Sequence, residues 1–197
     1  EGPTESLAKV LHTSTLYLLY SKFDPLLQLH LNNESKPVNI IDKNFVQDMT
    51  VALDTIDDLL KKDRKLAGLI IISDKKNFLV GADIHSMYRE VNDQKLGELV
   101  ARRGQALFDR LAALPVPTIA AINELALGGG LELALACSYR VISANGVVGL
   151  PETKLGLLPG AGGTVRTPKL IGLQAALQLI LPGGNMRAKV AQQRGLV

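Results

Sequence analysis

The amino-acid sequence predicts an α/β fold with a parallel sheet, because two kinds of apolar pattern alternate along it. Short continuous apolar runs are typical of buried strands, and longer segments with an apolar residue every three or four positions are typical of helices. From residue 154 onward the helical patterns dominate. Strands that alternate with helices pair in parallel through right-handed crossovers, and ligand sites in such folds lie at the carboxyl ends of strands.

The first part of the chain predicts two strands, a long helix and a third strand. Residues 16–20 and 26–31 are apolar runs joined by a turn that contains Asp24 and Pro25. Asp42 is placed to cap a helix, since apolar residues follow it at helical spacing. A Leu/Ile run at 67–73 predicts a buried strand of the parallel-sheet type. The apolar stripe of the helix consists of Phe45, Met49, Leu53, Ile56 and Leu60.

The second part predicts further strands and helices in alternation, then helices alone. Residues 92–113 carry another apolar stripe at helical spacing, which ends before the prolines at 115 and 117. The remaining predicted elements are strands at 118–122 and 139–143 and helices at 131–136, 163–171, 174–181 and 187–194.

The composition predicts one globular domain over residues 1–197, with 47% hydrophobic and 21% charged residues. A net charge of +3, without a basic run, is weak evidence for nucleic-acid binding. No apolar stretch approaches the roughly 18 residues that span a bilayer. The one cysteine, Cys137, excludes an internal disulfide, which favours a reducing compartment, and its apolar neighbours predict a buried core residue rather than a nucleophile.

Three motifs carry the candidate chemistry. The first is Gly81-Ala82-Asp83, where Asp83 is placed to cap a helical turn and the backbone N–H of Ala82 faces outward. By itself this motif is better explained as an ordinary turn between a strand and a helix. The second is Gly128-Gly129-Gly130, which opens an apolar helix one turn before Glu132.

Glycines at a helix N-terminus let backbone N–H groups approach a ligand closely, although close packing of helix on strand also explains them. A phosphate-binding loop is disfavoured, because neither Lys-Ser nor Lys-Thr follows. The third motif is Pro151-Glu152 with a glycine-rich stretch through Gly163. A glutamate after proline is often only a helix-start residue. Together, however, the motifs predict two N–H donors, from Ala82 and Gly129, that bind one oxyanion between the carboxyl groups of Glu132 and Glu152.

Three blocks of sequence, at 78–84, 120–132 and 149–164, resemble the enoyl-CoA hydratase/isomerase (crotonase) family. The resemblance extends from residue 16 to residue 197 and is strongest to the N-terminal hydratase part of multifunctional fatty-acid oxidation proteins. It implies a crotonase-like spiral of β-β-α units. Family domains continue beyond residue 197 with further helices, so the resemblance also implies that C-terminal helices are missing from this chain.

The resemblance implies an oxyanion hole that is formed by the N–H groups of Ala82 and Gly129 and grips the thioester oxygen of a trans-2-enoyl-CoA. In this interpretation Glu132 holds and activates water, and Glu152 delivers a proton to the α-carbon. No cofactor is needed beyond the coenzyme A of the substrate, and the sequence shows no spacing typical of a metal site. The remaining candidate substrate-binding residues are Gly81, Asp83 and Gly128, with His85 as a possible CoA contact or an exposed helical histidine.

Several alternatives remain open at this point. The protein could be an enoyl-CoA isomerase, which needs one shuttling carboxylate, or a non-catalytic relative that binds acyl-CoA or RNA. A serine peptidase shares the broader fold, but no histidine lies between residues 86 and 197 to serve as its base. We expect a trimer-type homo-oligomer or part of a multifunctional fatty-acid oxidation complex, located in a bacterial cytoplasm or in a mitochondrial or peroxisomal matrix.

Overall fold

The computed structural model describes residues 7–21, 24–83 and 94–197 and contains two sheets. The strands of the larger sheet are β1 (Ala8–His12), β2 (Leu16–Tyr20), β3 (Leu26–Leu31), β4 (Gly68–Ser73), β5 (Thr118–Ile122) and β7 (Tyr139–Ile142). They lie in the order β1-β2-β3-β4-β5-β7. The first three strands pair antiparallel, and the pairs β3–β4, β4–β5 and β5–β7 are parallel. The smaller sheet, of order β6-β8-β9, contains β6 (Leu125–Leu127), β8 (Val147–Gly149) and β9 (Asn185–Arg187).

Six α-helices and one 3-10 helix occur in the described ranges. They are α1 (Lys43–Lys62), α2 (Gln94–Ala112), α3 (Gly129–Ala136), α4 (Gly163–Ile171), α5 (Leu173–Ile180), α6 (Ala188–Gln193) and the 3-10 helix Glu152–Leu155. The predicted cap of α1 is confirmed, because the Asp42 carboxylate accepts a hydrogen bond from the Phe45 N–H at 2.9 Å. None of the described helices is long and apolar enough to cross a bilayer.

The core lies between one face of the larger sheet and the helices. On β3 every second residue is buried, so that Leu27 and Leu29 point into the core, and α1 packs its stripe of Phe45, Met49 and Leu53 against β2 and α2. Cys137 is buried as predicted, and burial raises the pKa of its thiol to about 12. A thiol with such a pKa does not supply a nucleophilic thiolate at neutral pH.

The predicted elements agree with the structure to within two residues wherever both can be compared. The strands at 16–20, 26–31 and 118–122 and the helix at 163–171 are confirmed at both ends. Residues 92 and 93 of the second predicted helix lie outside the described residues. The sequence missed β1, β6, β8 and β9, and it did not predict the antiparallel pairing of β1, β2 and β3.

Candidate active site

The first motif lies in an extended segment between β6 and residue Ile41. On one side Leu79 exchanges two hydrogen bonds of 3.1 Å with β6, forming a parallel bridge to Ala126. On the other side the Ile41 N–H donates to the Gly81 carbonyl at 2.8 Å, and the Asp83 N–H donates to the Ile41 carbonyl at 3.1 Å. These bonds leave the N–H of Ala82 out of the pairing and, by strand geometry, facing away from Ile41.

A buried asparagine fixes this segment in place. Asn39 is 1% exposed, and its side-chain amide donates to the carbonyls of Leu31 and Phe78 and to the Ser73 hydroxyl at 3.0–3.2 Å. Its side-chain oxygen accepts the Asn33 N–H at 2.9 Å. Since every polar atom of this buried side chain has a partner, Asn39 stabilises the position of the backbone that leads into Gly81.

The three glycines at the start of α3 serve different purposes. Gly128 has a φ of 54°, and its N–H donates to the Gly149 carbonyl at 2.8 Å. Gly129 is the first residue of α3, so its N–H has no acceptor within its own helix. A Cβ on Gly130 would lie 2.0 Å from the Leu79 carbonyl oxygen. Close packing therefore explains Gly130, while the backbone N–H of Gly129 has no acceptor in its own helix.

The structure brings the first two motifs together. A Cβ on Gly128 would lie 3.8 Å from the Cα of Gly81, so the chain segments that carry the Ala82 and Gly129 amides contact each other. The Asp83 carboxylate lies 3.3 Å from the Lys36 ammonium group, which also lies 3.4 Å from Asp42. The helix that Asp83 was predicted to cap lies outside the described residues, and so does His85.

Glu132 is buried in the first turn of α3, with 3% of its surface exposed. One carboxylate oxygen, Oε1, accepts hydrogen bonds of 2.8 Å from the N–H groups of Ala161 and Gly163. Gly163 is the first residue of α4, so this carboxylate lies at the N-termini of two helices. Burial raises the pKa of Glu132 above its ordinary value, while the hydrogen bonds from Gly163 and Ala161 and the charge of Arg166 oppose that rise.

Glu152 is the first residue of the 3-10 helix that follows Pro151. Its Oε1 atom would lie 3.0 Å from a Cβ on Gly128, and its Oε2 atom is buried without a hydrogen-bond partner among the described residues. Burial raises the pKa of this carboxyl to about 7, its own backbone N–H opposes the rise, and the negative charge of Glu132 adds to it. Glu152 can therefore hold or release a proton near neutral pH.

The two carboxyl groups lie beside the adjacent glycines Gly128 and Gly129. Glu152 is next to Gly128, and the Oε2 atom of Glu132 would lie 3.9 Å from a Cβ on Gly129. Burial raises the pKa of both carboxyls, that of Glu152 to about 7, and N–H donors oppose the rise at Glu132. Two such carboxyls beside the Gly129 helix amide and the Ala82 amide suit acid–base chemistry on a polarised carbonyl compound.

Sequence reasoning missed the groups that hold Glu132. The Ala161 and Gly163 amides lie 29 and 31 positions after Glu132 in the chain. The glycines at 156–163 indicated that another group approaches the backbone closely there. That this group is the Glu132 carboxylate follows only from the packing of α4 against α3. No group of three metal-ligating side chains occurs within residues 7–21, 24–83 and 94–197.

The chain is similar to one family model and to several solved structures. The family model described as enoyl-CoA hydratase/isomerase matches residues 24–197. The solved structure of an enoyl-CoA hydratase from Bacillus anthracis is 30% identical, with a TM-score of 0.82 over 93% of this chain and 68% of that one. DspI from Pseudomonas aeruginosa is 31% identical, with a TM-score of 0.82 over 99% and 75%. An enoyl-CoA hydratase from Geobacillus kaustophilus is 31% identical, with a TM-score of 0.84 over 95% and 68%.

Proposed function

This chain belongs to the enoyl-CoA hydratase/isomerase family, and from that premise we propose that it adds water to trans-2-enoyl-CoA. The product would be a 3-hydroxyacyl-CoA. The observation that carries the proposal is the placement of two carboxyl groups, that of the buried Glu132 and that of the half-buried Glu152, beside the adjacent glycines Gly128 and Gly129. An acid and a base are both required when the two parts of water are added to adjacent carbons.

The backbone amides of Ala82 and Gly129 would bind the thioester oxygen. Attack of water on C3 moves electrons through C2 onto that oxygen, which becomes an enolate. Both amides are left out of the backbone pairing around them, and Gly129 adds the positive end of the α3 dipole. Loss of one such donor typically raises a barrier by about 3 kcal/mol, so the pair would account for much of the rate.

The two glutamates would have opposite roles, one as the base and the other as the acid. Glu132, whose Oε1 atom accepts hydrogen bonds from two N–H donors, accepts one proton from water as the water oxygen bonds to C3. Glu152, whose pKa of about 7 keeps it partly protonated at neutral pH, gives its proton to C2. When the product leaves, Glu132 is protonated and Glu152 is ionised. Proton exchange with solvent then restores the starting state of both side chains. The reaction requires no further cofactor.

We place this reaction in fatty-acid β-oxidation, as part of a homo-oligomer or of a multifunctional oxidation complex. The test follows the loss of ultraviolet absorbance of crotonyl-CoA with purified wild-type protein, Glu132→Gln and Glu152→Gln. We expect each substitution to reduce the hydration rate at least about 10²-fold. Glu98→Gln is the matched control, because Glu98 is an exposed glutamate on α2 that pairs only with Arg102 among the contacts the structure gives. A variant that keeps the wild-type rate removes its glutamate from the mechanism.

Isomerisation of enoyl-CoA is the second candidate, and the environment of Glu152 favours it. A carboxyl with a pKa of about 7 and one unpartnered oxygen can carry a proton from C2 to C4 of the acyl chain, or the reverse. An isomerase needs only this one group. If isomerisation is the principal activity, Glu132→Gln keeps the conversion of a 3-enoyl-CoA to the 2-enoyl isomer, and Glu152→Gln abolishes it. Loss of both activities in both variants supports hydration.

A further inference from the structure

We infer that Arg166 and Asp109 form a clamp that positions Glu132, and that Arg166 is therefore a positioning residue for the reaction. This inference rests on the proposed function of Glu132. It concerns the backbone turn 160–163, whose amides hold the Glu132 carboxylate. Arg166 lies on α4 and Asp109 on α2, so the clamp joins two helices through this turn.

Arg166 contacts Ala161, the residue whose N–H donates to Glu132. Its Nη1 atom donates to the Ala161 carbonyl at 3.1 Å, and the N–H of the same residue donates to Glu132 Oε1 at 2.8 Å. Its Nη2 atom pairs with Asp109 Oδ1 at 2.5 Å. The guanidinium also lies directly over Gly162, since a Cβ there would be 2.0 Å from Nη1. The side chain thus fixes both the position and the orientation of the turn.

Helix α2 supplies a second support for the same turn. Gln105 Nε2 donates to the Gly160 carbonyl at 2.8 Å. A Cβ on Gly104 would be 3.4 Å from the Cβ of Ala161, so the helix backbone approaches the turn closely. With Asp109 one turn further along, α2 contacts the turn both directly and through Arg166. A movement of the Glu132 carboxylate together with this turn would therefore break hydrogen bonds to side chains on α2 and α4.

The charge of Arg166 adds an electrostatic effect. Only 17% of its side chain is exposed, so its field is less screened by water than that of a surface arginine. Among the described residues, the charged groups around Glu132 are Arg166 on α4, Glu152 on the 3-10 helix and the exposed Asp109 beyond Arg166. Arg166 favours the ionised form of Glu132, whereas burial disfavours it. Removal of the guanidinium therefore raises the pKa of Glu132.

The variants Arg166→Met, Arg166→Lys and Asp109→Asn separate charge from geometry. Arg166→Met removes both and should lower kcat for crotonyl-CoA hydration about tenfold to a hundredfold, with a higher pKa on the acid limb of the pH profile. Arg166→Lys keeps the charge but loses the planar fork that reaches two acceptors, so kcat falls while the acid limb stays in place. Arg102→Met is the control, because Arg102 forms an exposed pair with Glu98 on α2.

A second readout does not depend on activity. The titration of Glu132, followed by carbon-13 NMR of labelled glutamate carboxyls and assigned with Glu132→Gln, should move to higher pH in Arg166→Met and not in Arg102→Met. If the titration of Glu132 moves to higher pH in Arg166→Met but the wild-type protein does not hydrate crotonyl-CoA, the clamp is supported and the proposed function fails. An unchanged titration and pH profile in folded Arg166→Met overturn the inference. If that variant does not fold, wild-type kcat in both Arg166→Lys and Asp109→Asn overturns it.

Discussion

Replacement of Glu152 by glutamine should stabilise the protein at alkaline pH, because the native carboxyl ionises in surroundings that disfavour its charge. Burial raises the pKa of Glu152 from 4.5 to about 7, so the folded state binds this proton more tightly than the unfolded state does. The resulting stability is present below pH 4.5 and is lost as the pH rises through 7. At about 1.4 kcal/mol per pKa unit, the shift sets an upper limit of about 3 kcal/mol. Partial exposure of the side chain reduces this, and we expect about 1–3 kcal/mol.

The assay is urea unfolding of wild type and Glu152→Gln at pH 4 and at pH 8.5, followed by circular dichroism. At pH 4 the two free energies of unfolding should agree within about 0.5 kcal/mol, since the glutamate is then mostly protonated in both the folded and the unfolded state and is as neutral as glutamine. At pH 8.5 the variant should be the more stable protein. Glu98→Gln, at an exposed position, should show no such pH dependence. A Glu152→Gln protein that is equally or less stable than wild type at pH 8.5 refutes the reasoning.

Three further predictions concern the same site. Gly163→Ala places a Cβ 3.0 Å from Glu132 Oε1, so crotonyl-CoA hydration should fall at least about tenfold in a folded protein, and an unchanged rate contradicts the role of this turn. Gly130→Ala places a Cβ 2.0 Å from the Leu79 carbonyl and should lower the free energy of unfolding by about 3 kcal/mol in urea titrations; a loss below about 0.5 kcal/mol contradicts the close packing. The value of kcat/KM should fall above pH 7 as Glu152 loses its proton, and a pH-rate profile that stays flat to pH 9 contradicts that role.

The fold class was predictable because its main elements carry strong local signals. The α/β crotonase-like fold that three motifs indicated is confirmed by the family match and by the solved structures. The uniformly apolar strand β4 and the long helix α1, with its regular apolar stripe, can be identified from their own sequences alone. The strand β9 carries no such pattern, since it has three residues, of which only Met186 is buried. Its strand conformation depends on pairing with β8, and a single segment cannot reveal its partner.

The site was predictable as a set of residues and unpredictable as a set of contacts. Glycines beside Glu132 and Glu152 indicated two carboxyl groups near exposed amides, and the structure places these groups beside one glycine pair. Their catalytic roles stay predictions. The hydrogen bonds to Glu132 from Ala161 and Gly163, and the clamp through Arg166, join segments that are distant in sequence. Such contacts follow from the packing of α2, α3 and α4, which no local pattern specifies.

The proposed mechanism depends most on a single thioester oxygen that accepts hydrogen bonds from two backbone amides. A crystal structure of the Glu152→Gln protein with bound crotonyl-CoA tests this directly, because that variant should bind the substrate and turn it over slowly. The proposed mechanism predicts that the oxygen lies about 2.7–3.1 Å from the backbone nitrogens of both Ala82 and Gly129, with C3 of the acyl group nearest Glu132. A thioester oxygen that contacts neither amide, or an acyl group bound away from Glu132, contradicts it.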